Sequence, residues 1–278
     1  MVLFSEIRKY LLKAIGISKI WSDLSVVIDN QHKLQKQHET LRKQYEMLLK
    51  SQNYQKEYLQ EILKANLFRD AISDCEWLKF KSFSPGGWAA DYGVLFTLCK
   101  ILSHVKPKNI LEFGLGQSSR ILHQFGSYYA SNVVTVEHNE EWIDFFKAEI
   151  GNSYPVNICL LELEERLYNG QKTLSYKGLG DVTKGKRYDL VVVDGPYGAE
   201  HYSRSQLIDL VREEKLSDSF CVIMDDYNRT GEQETMQEVM NILSMRNIPF
   251  KSKKYQASKQ HFLICSEDLY YLTTLSGF

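Results

Sequence analysis

The chain begins with apolar positions at helical spacing and later changes to short apolar runs. In residues 1–15, Leu3, Phe4, Ile7, Leu11, Leu12 and Ile15 share one broad face, with Arg8, Lys9 and Lys13 on the other. That is an amphipathic helix. Between Gly16 and Pro85 there is neither glycine nor proline, which predicts one long helix. A 3-4 alternation places Leu24, Val27, Gln31, Leu34, His38, Leu41, Tyr45, Leu48, Gln52, Gln55, Leu59, Ile62 and Asn66 on one seam. A heptad sustained this long predicts a coiled coil. The alternative is a single surface helix packed on its own domain.

The segment Ser82-Phe-Ser-Pro-Gly-Gly-Trp-Ala-Ala reads as the turn that ends this arm. A helix over about 89–105 follows, and then a strand from Asn109. Apolar runs at 132–136, 156–161, 190–193, 220–224 and 261–265 read as later strands, with helical patterns between most of them. Such alternation predicts an α/β fold with a mainly parallel sheet and helices on both faces. The connection 162–187 carries Gly170, Gly178, Gly180 and Gly185 with weak helical periodicity. It reads as a long functional loop. Three segments result: an amphipathic helix over 1–16, a helical arm over 17–81 and an α/β domain over 82–278.

Charge sharpens this division. The formal net charge is −1, so no whole-chain basic field points to nucleic acid. The first 68 residues carry eleven Lys/Arg and seven Asp/Glu, a formal +4, which leaves about −5 for the rest. Residues 1–16 therefore suit an anionic membrane surface or a partner protein. The five cysteines show no Cys-x-x-Cys spacing and read as reduced thiols. No apolar run reaches the roughly 18–20 residues that span a bilayer, and the N-terminus lacks a secretory signal pattern. These features predict a cytoplasmic protein, peripheral at the inner face of the membrane if residues 1–16 dock there.

The chemistry-bearing motif is Asn-Ile-Leu-Glu112-Phe-Gly114-Leu-Gly116-Gln-Ser118-Ser-Arg. It reads as strand, tight glycine turn, helix, the first βα unit of a nucleotide-binding sheet. Ser119 stands where a dinucleotide fingerprint has its third glycine. Glu137 and His138 close the second strand, and a carboxylate there suits ribose hydroxyls. Trp142 is placed to cover an adenine or to pack a helix. Asp194 closes Leu-Val-Val-Val-Asp, and Asp225 and Asp226 close Phe-Cys-Val-Ile-Met-Asp-Asp. Three carboxylates at one sheet edge repel unless a cation or a proton lies between them. Hard oxygen ligands of this kind suit Mg²⁺ or Ca²⁺. The other reading is that Asp225 or Asp226 caps the next helix.

Glu112-x-Gly114-x-Gly116 resembles motif I of the class I S-adenosylmethionine-dependent methyltransferases. The order of that motif, strand-end Glu137, Val193-Asp194-Gly195 and Asp225-Asp226-Tyr227 resembles the macrocin-type and bacterial surface-polysaccharide sugar O-methyltransferases, over about residues 82–270. The resemblance implies a Rossmann-like methyltransferase sheet preceded by the helical arm. It implies S-adenosylmethionine as cofactor, with Glu112, Gly114, Gly116, Ser118, Glu137 and His138 as the cofactor set. It further implies a Mg²⁺ ion held by Asp194, Asp225 and Asp226 against a sugar diol, with Asp194 as base. Gly195-Pro196-Tyr197-Gly198 departs from that family's continuation. His201, Tyr202 and Arg204 are nearby alternatives, and His201 is a second candidate base because its unperturbed pKa lies near neutrality.

The expected activity is methyl transfer to a sugar hydroxyl of a surface polysaccharide or related glycan. The expected partners are the glycan substrate, a second copy of the chain through the arm, and a membrane or glycan-assembly partner through residues 1–16. The rivals are a nicotinamide-dependent oxidoreductase, which the missing third glycine and Glu112 oppose, and a non-catalytic coiled-coil scaffold of a glycan-assembly complex.

Overall fold

The computed structural model describes residues 2–87 and 89–275. Met1, and Trp88 of the predicted turn, lie outside the described residues. The chain forms two compact units, Met1–Lys56 and Glu57–Phe278. The first holds α1 (Val2–Ala14) and the leading part of α2 (Ile17–Ser73). Gly16, at φ 72°, separates the two helices in a backbone region that favours glycine. Leu3, Phe4, Ile7 and Leu11 of α1 are exposed, so the apolar face read from the sequence is present within this unit.

In the second unit, the end of α2 packs into the core through Phe68 and Ile72. Phe68 meets Phe83 edge-on at 5.4 Å between ring centroids. The helix stops at Ser73, short of the predicted residue 81. Lys81 Nζ donates to the Ser73 carbonyl at 2.8 Å, a cation at a helix C-terminus. Beyond that point Trp77 and Leu78 turn inward and are buried, with Trp77 edge-on to Phe125 at 5.3 Å.

The next elements are α3 (Tyr92–Val105), β1 (Asn109–Phe113), α4 (Gln117–Tyr129), β2 (Asn132–Glu137), α5 (Glu140–Ile150) and β3 (Ile158–Leu160). After them come β4 (Leu163–Tyr168), β5 (Gln171–Tyr176), α6 (Leu179–Thr183), β6 (Tyr188–Val193), α7 (Gln206–Arg212) and β7 (Leu216–Met224). The chain closes with α8 (Thr230–Met245), β8 (Phe250–Gln256), β9 (Gln260–Ser266) and a final 3-10 turn. The main sheet has seven strands in the order β3-β2-β1-β6-β7-β9-β8. Five run parallel, β9 is antiparallel to β7, and β8 is antiparallel to β9. This is the Rossmann-like, mainly parallel α/β sheet the sequence predicts, preceded by a long N-terminal helix.

Strand side chains alternate between two cores. Ile110, Val133, Leu190 and Ile223 face one side with α3 and α4. Leu111, Val134, Val191 and Val222 face the other with α7 and α8. Burial on both faces explains why these strands read as continuous apolar runs. From β1 the chain moves outward to β2 and β3, then returns to place β6 on the other side of β1. The order reverses between β1 and β6, and a crevice opens at the carboxyl ends of strands at such a point.

Two elements differ from the sequence reading. The predicted loop 162–187 contains the β4–β5 hairpin and α6. Its turn is Asn169-Gly170, both at positive φ, the pairing favoured in two-residue hairpins. The other is β8, Phe-Lys-Ser-Lys-Lys-Tyr-Gln. It lacks an apolar run because it is an edge strand, and three lysines discourage further pairing there. All five cysteines are free. No helix among the described residues is long and apolar enough to cross a membrane.

Candidate active site

A cleft of about 660 Å³ lies over the carboxyl ends of β1, β2, β6 and β7. Two glycines shape its floor. Gly114, at φ 90°, follows β1; a Cβ there would lie 2.9 Å from the Asp194 carbonyl carbon. A Cβ on Gly195 would lie 2.9 Å from Gly114 Cα and 2.5 Å from the Tyr176 hydroxyl. The two strand ends touch here, so neither position has room for a side chain. Gly116 is different: a Cβ there would meet nothing within 4 Å. Its bareness leaves open space at the start of α4, where backbone N–H groups and the helix dipole favour anionic or polar ligand groups.

Glu137 ends β2 and lines the cleft. Its Oε2 accepts from Leu115 N at 2.9 Å, and its Oε1 accepts from His138 N at 2.7 Å and Asn139 N at 2.9 Å. Three main-chain donors thus fix the carboxylate against the glycine turn. His138 Nδ1 lies 2.8 Å from Glu137 Oε1, while its ring packs edge-on to Tyr197 at 4.6 Å. Trp142 Nε1 donates to the Leu115 carbonyl at 2.7 Å, and the indole stacks on Phe145. Arg120 and Glu149 form an ion pair at this end of the cleft.

Glu112 and Ser118, expected at the cofactor, do not line the cleft. Glu112 is fully buried and accepts from Ser118 Oγ and Thr135 Oγ1, both at 2.6 Å. Its carboxyl ties β1 to α4 and β2. Burial pushes its pKa up to about 7 despite those hydroxyls. The acid of the motif fastens the turn, and Glu137 is the carboxylate at the end of β2 that lines the cleft.

The three strand-end acids do converge, but the cation among them belongs to the chain. Arg204 is buried, with Nη2 3.0 Å from Asp226 Oδ2 and 3.3 Å from Asp194 Oδ1. Its Nη1 donates to the Asp225 carbonyl at 2.9 Å. Lys259 Nζ lies 3.4 Å from Asp226 Oδ1 and 4.0 Å from Asp225 Oδ2, and Arg229 Nη1 lies 3.0 Å from Asp226 Oδ2. Burial raises Asp226, but Arg204, Lys259 and Arg229 together outweigh it and hold its carboxyl below the ordinary range. Burial pushes Asp225 well above that range, with Asp194 adding to the effect. Its Oδ1 accepts from Asp226 N, while Oδ2 has no hydrogen-bond partner. Repulsion among the acids is therefore relieved by the chain's own cations, which stand between Asp194 and Asp226.

This donor set does not fit the expected Mg²⁺. A divalent ion shared by Asp194 and Asp226 would be driven against the guanidinium that already bridges them. Among the described residues no three His, Cys, Asp or Glu side chains are placed to hold a metal. Neither aspartate caps α8, whose N-cap is Arg229.

Asp194 lines the cleft. Burial pushes its pKa up to about 6, with Arg204 opposing and Asp226 reinforcing the rise. His201 does not line the cleft. Its Nδ1 lies 2.9 Å from Glu234 Oε1, a hydrogen bond that raises its pKa. The ring is turned to Glu234 and away from the cleft, whereas Asp194 lines it. Tyr202 packs against Tyr168. Sequence reasoning missed Tyr176 and Lys259. Tyr176 closes the hairpin that Asn169-Gly170 signals. Lys259 sits in the β8–β9 turn, where Asp91 Oδ2 accepts from its N–H at 2.8 Å.

No family model matches the chain, and no curated protein sequence matches it. Among solved structures it is similar to an SAH-bound methyltransferase from Podospora anserina, at 13% identity and TM-score 0.42, covering 74% of this chain and 88% of that one. It is similar to precorrin-6y C5,15-methyltransferase from Geobacter metallireducens, at 12% identity and TM-score 0.41, covering 66% and 94%. A third is the O-methyltransferase from Bacillus cereus in complex with SAH, at 13% identity and TM-score 0.36, covering 73% and 91%.

Proposed function

We propose that the chain is an S-adenosylmethionine-dependent O-methyltransferase acting on a hydroxyl of a sugar in a glycan. The observation that carries this reading is the pairing of bare Gly116 with the anchored Glu137 carboxylate, in one cleft with Asp194. The chain's own residues fit that cofactor. The space over Gly116 is open. His138 Nε2 and the Tyr176 hydroxyl are buried polar atoms of cleft-lining residues without a protein partner. Unpartnered buried polar atoms are costly unless a ligand satisfies them.

On this reading Gly114, Gly116, Glu137, His138 and Trp142 hold the cofactor. When bound, it supplies an electrophilic methyl group on sulfonium. Asp194 faces the same cleft and takes the proton of the acceptor hydroxyl. A carboxyl with pKa about 6 is ionised at neutral pH yet more basic than a free aspartate. Arg204 and Arg229 hold the surrounding acids in place, and the cleft walls orient the acceptor oxygen for in-line transfer.

Titration calorimetry with S-adenosylmethionine and its demethylated product, followed by mass spectrometry of glycan treated with enzyme, tests this. Binding that is lost in Gly114→Val and weakened at least tenfold in Glu137→Ala supports it, as does a single added methyl. Absence of binding to either compound overturns it. Binding with methyl transfer only to non-sugar acceptors overturns the sugar assignment.

A further inference from the structure

The long helix carries two faces in the second unit, and only one is used. Glu61, Lys64, Phe68 and Ile72 turn toward the domain. Phe68 and Ile72 enter its core, and Glu61 accepts from Tyr92 N at 2.9 Å and Ser258 N at 3.2 Å. The heptad positions Leu59, Ile62 and Asn66 are exposed. At about 100° per residue they lie roughly 120–180° around the helix from Phe68. Intramolecular packing therefore does not consume the seam. Along the same helix Leu34, Leu41, Leu48 and Leu59 are each more than half exposed.

We propose that α2 associates with the α2 of a second copy of this chain in a parallel, in-register coiled coil along Leu24–Asn66. Three observations choose this occupant. The first is the repeat: a 3-4 alternation over six heptads, roughly 60 Å of helix at ~1.5 Å per residue, matches only another helix with the same repeat. The second is size. Four seam and flanking positions per heptad give about 25 residues a side, within the roughly 20–30 of a stable interface.

The third is the placement of the polar layers. In the parallel register Gln31, His38, Gln52, Gln55 and Asn66 each meet their own counterpart, and every such side chain can both donate and accept. Antiparallel helices pair unlike seam positions: setting Tyr45 against Leu41 puts Gln52 against Leu34 and His38 against Leu48, and setting Tyr45 against Leu48 puts Gln31 against Ile62 and Gln52 against Leu41. That buries polar groups against leucine or isoleucine without a partner. Flanking residues Gln35, Gln37, Arg42, Gln44, Ser51 and Lys56 bring no like charges together in the parallel register.

The test uses the full chain. Light scattering at micromolar concentration should give a dimer or a trimer. The Leu41→Asp/Leu48→Asp variant should give a monomer whose second unit melts as in the unmodified chain, since neither residue lies in that unit. Under mild oxidation Leu41→Cys should form an interchain disulfide that the unmodified chain, with its own five cysteines, does not form. A monomeric wild-type chain overturns the proposal, as does an oligomer that survives the double Asp change. Cross-linking only when Leu41→Cys is mixed with Tyr45→Cys or with Gln52→Cys overturns the parallel register.

Discussion

Gly114 and Gly195 lie so close that a Cβ on either would sit 2.9–3.0 Å from the other residue's backbone atoms. They come from turns after β1 and β6, the strands between which the sheet order reverses. Each is needed by the other as much as by any ligand. Gly195→Ala should therefore disturb the cleft as strongly as Gly114→Val, although only the latter belongs to the recognisable motif. The expected result is a loss of S-adenosylmethionine affinity of at least tenfold for both, read by calorimetry, with circular dichroism retaining the α/β signature.

The buried Glu112 predicts a pH dependence of stability. Its folded pKa, about 7, lies above the ordinary carboxylate value, so the folded chain holds a proton there that the unfolded chain has released. This contribution is fully present below about pH 4.5 and is lost as pH rises through about 7. Glu112→Gln keeps a neutral group of the same shape. Denaturant titrations from pH 5 to 8 should show wild-type stability falling relative to that variant, by an amount on the order of 2–3 kcal/mol across the window. Parallel pH profiles would contradict it.

Asp194 as base predicts that kcat/KM for methyl transfer rises through a pH near 6 and then levels. Asp194→Asn should lower it by at least 100-fold with little change in cofactor affinity. A chelator should leave the rate unchanged, because Arg204 occupies the position between the acids. His201→Gln should retain activity within a few-fold, since that ring faces Glu234.

The end of α2 is part of the core. Phe68→Ala should destabilise the second unit by about 3–5 kcal/mol, as for other buried aromatic truncations. Deleting residues 1–56 should preserve folding and ligand binding, whereas deleting residues 1–73 should leave an aggregating fragment. Thermal melts of the two truncated chains distinguish these outcomes.

The sheet was legible because its strands are buried on both faces and read as unbroken apolar runs, as in Leu190 to Val193. The polar edge strand β8 carries no such signal, and the β4–β5 hairpin was missed, its one local cue being Asn169-Gly170. At the site, the strand-end positions of Glu137, Asp194, Asp225 and Asp226 followed from the runs they terminate. Which way a carboxylate turns did not. Glu112 and Glu137 have similar sequence settings, yet one is absorbed by Ser118 and Thr135 and the other faces the cleft. Nor does local pattern reveal that Arg204, ten residues beyond Asp194, folds back between the acids. That depends on a left-handed backbone at Arg204, φ 58°, and on burial supplied by distant strands.

A counter-ion carried on the chain differs in kind from one borrowed from the medium. Occupancy by a diffusible ion follows its concentration, and two compartments with different supplies give two differently charged clefts. Arg204 is delivered with the fold at fixed stoichiometry, so the acids of β6 and β7 are balanced from the moment the sheet closes. Dilution, competing ions and starvation for divalent cations leave that balance untouched.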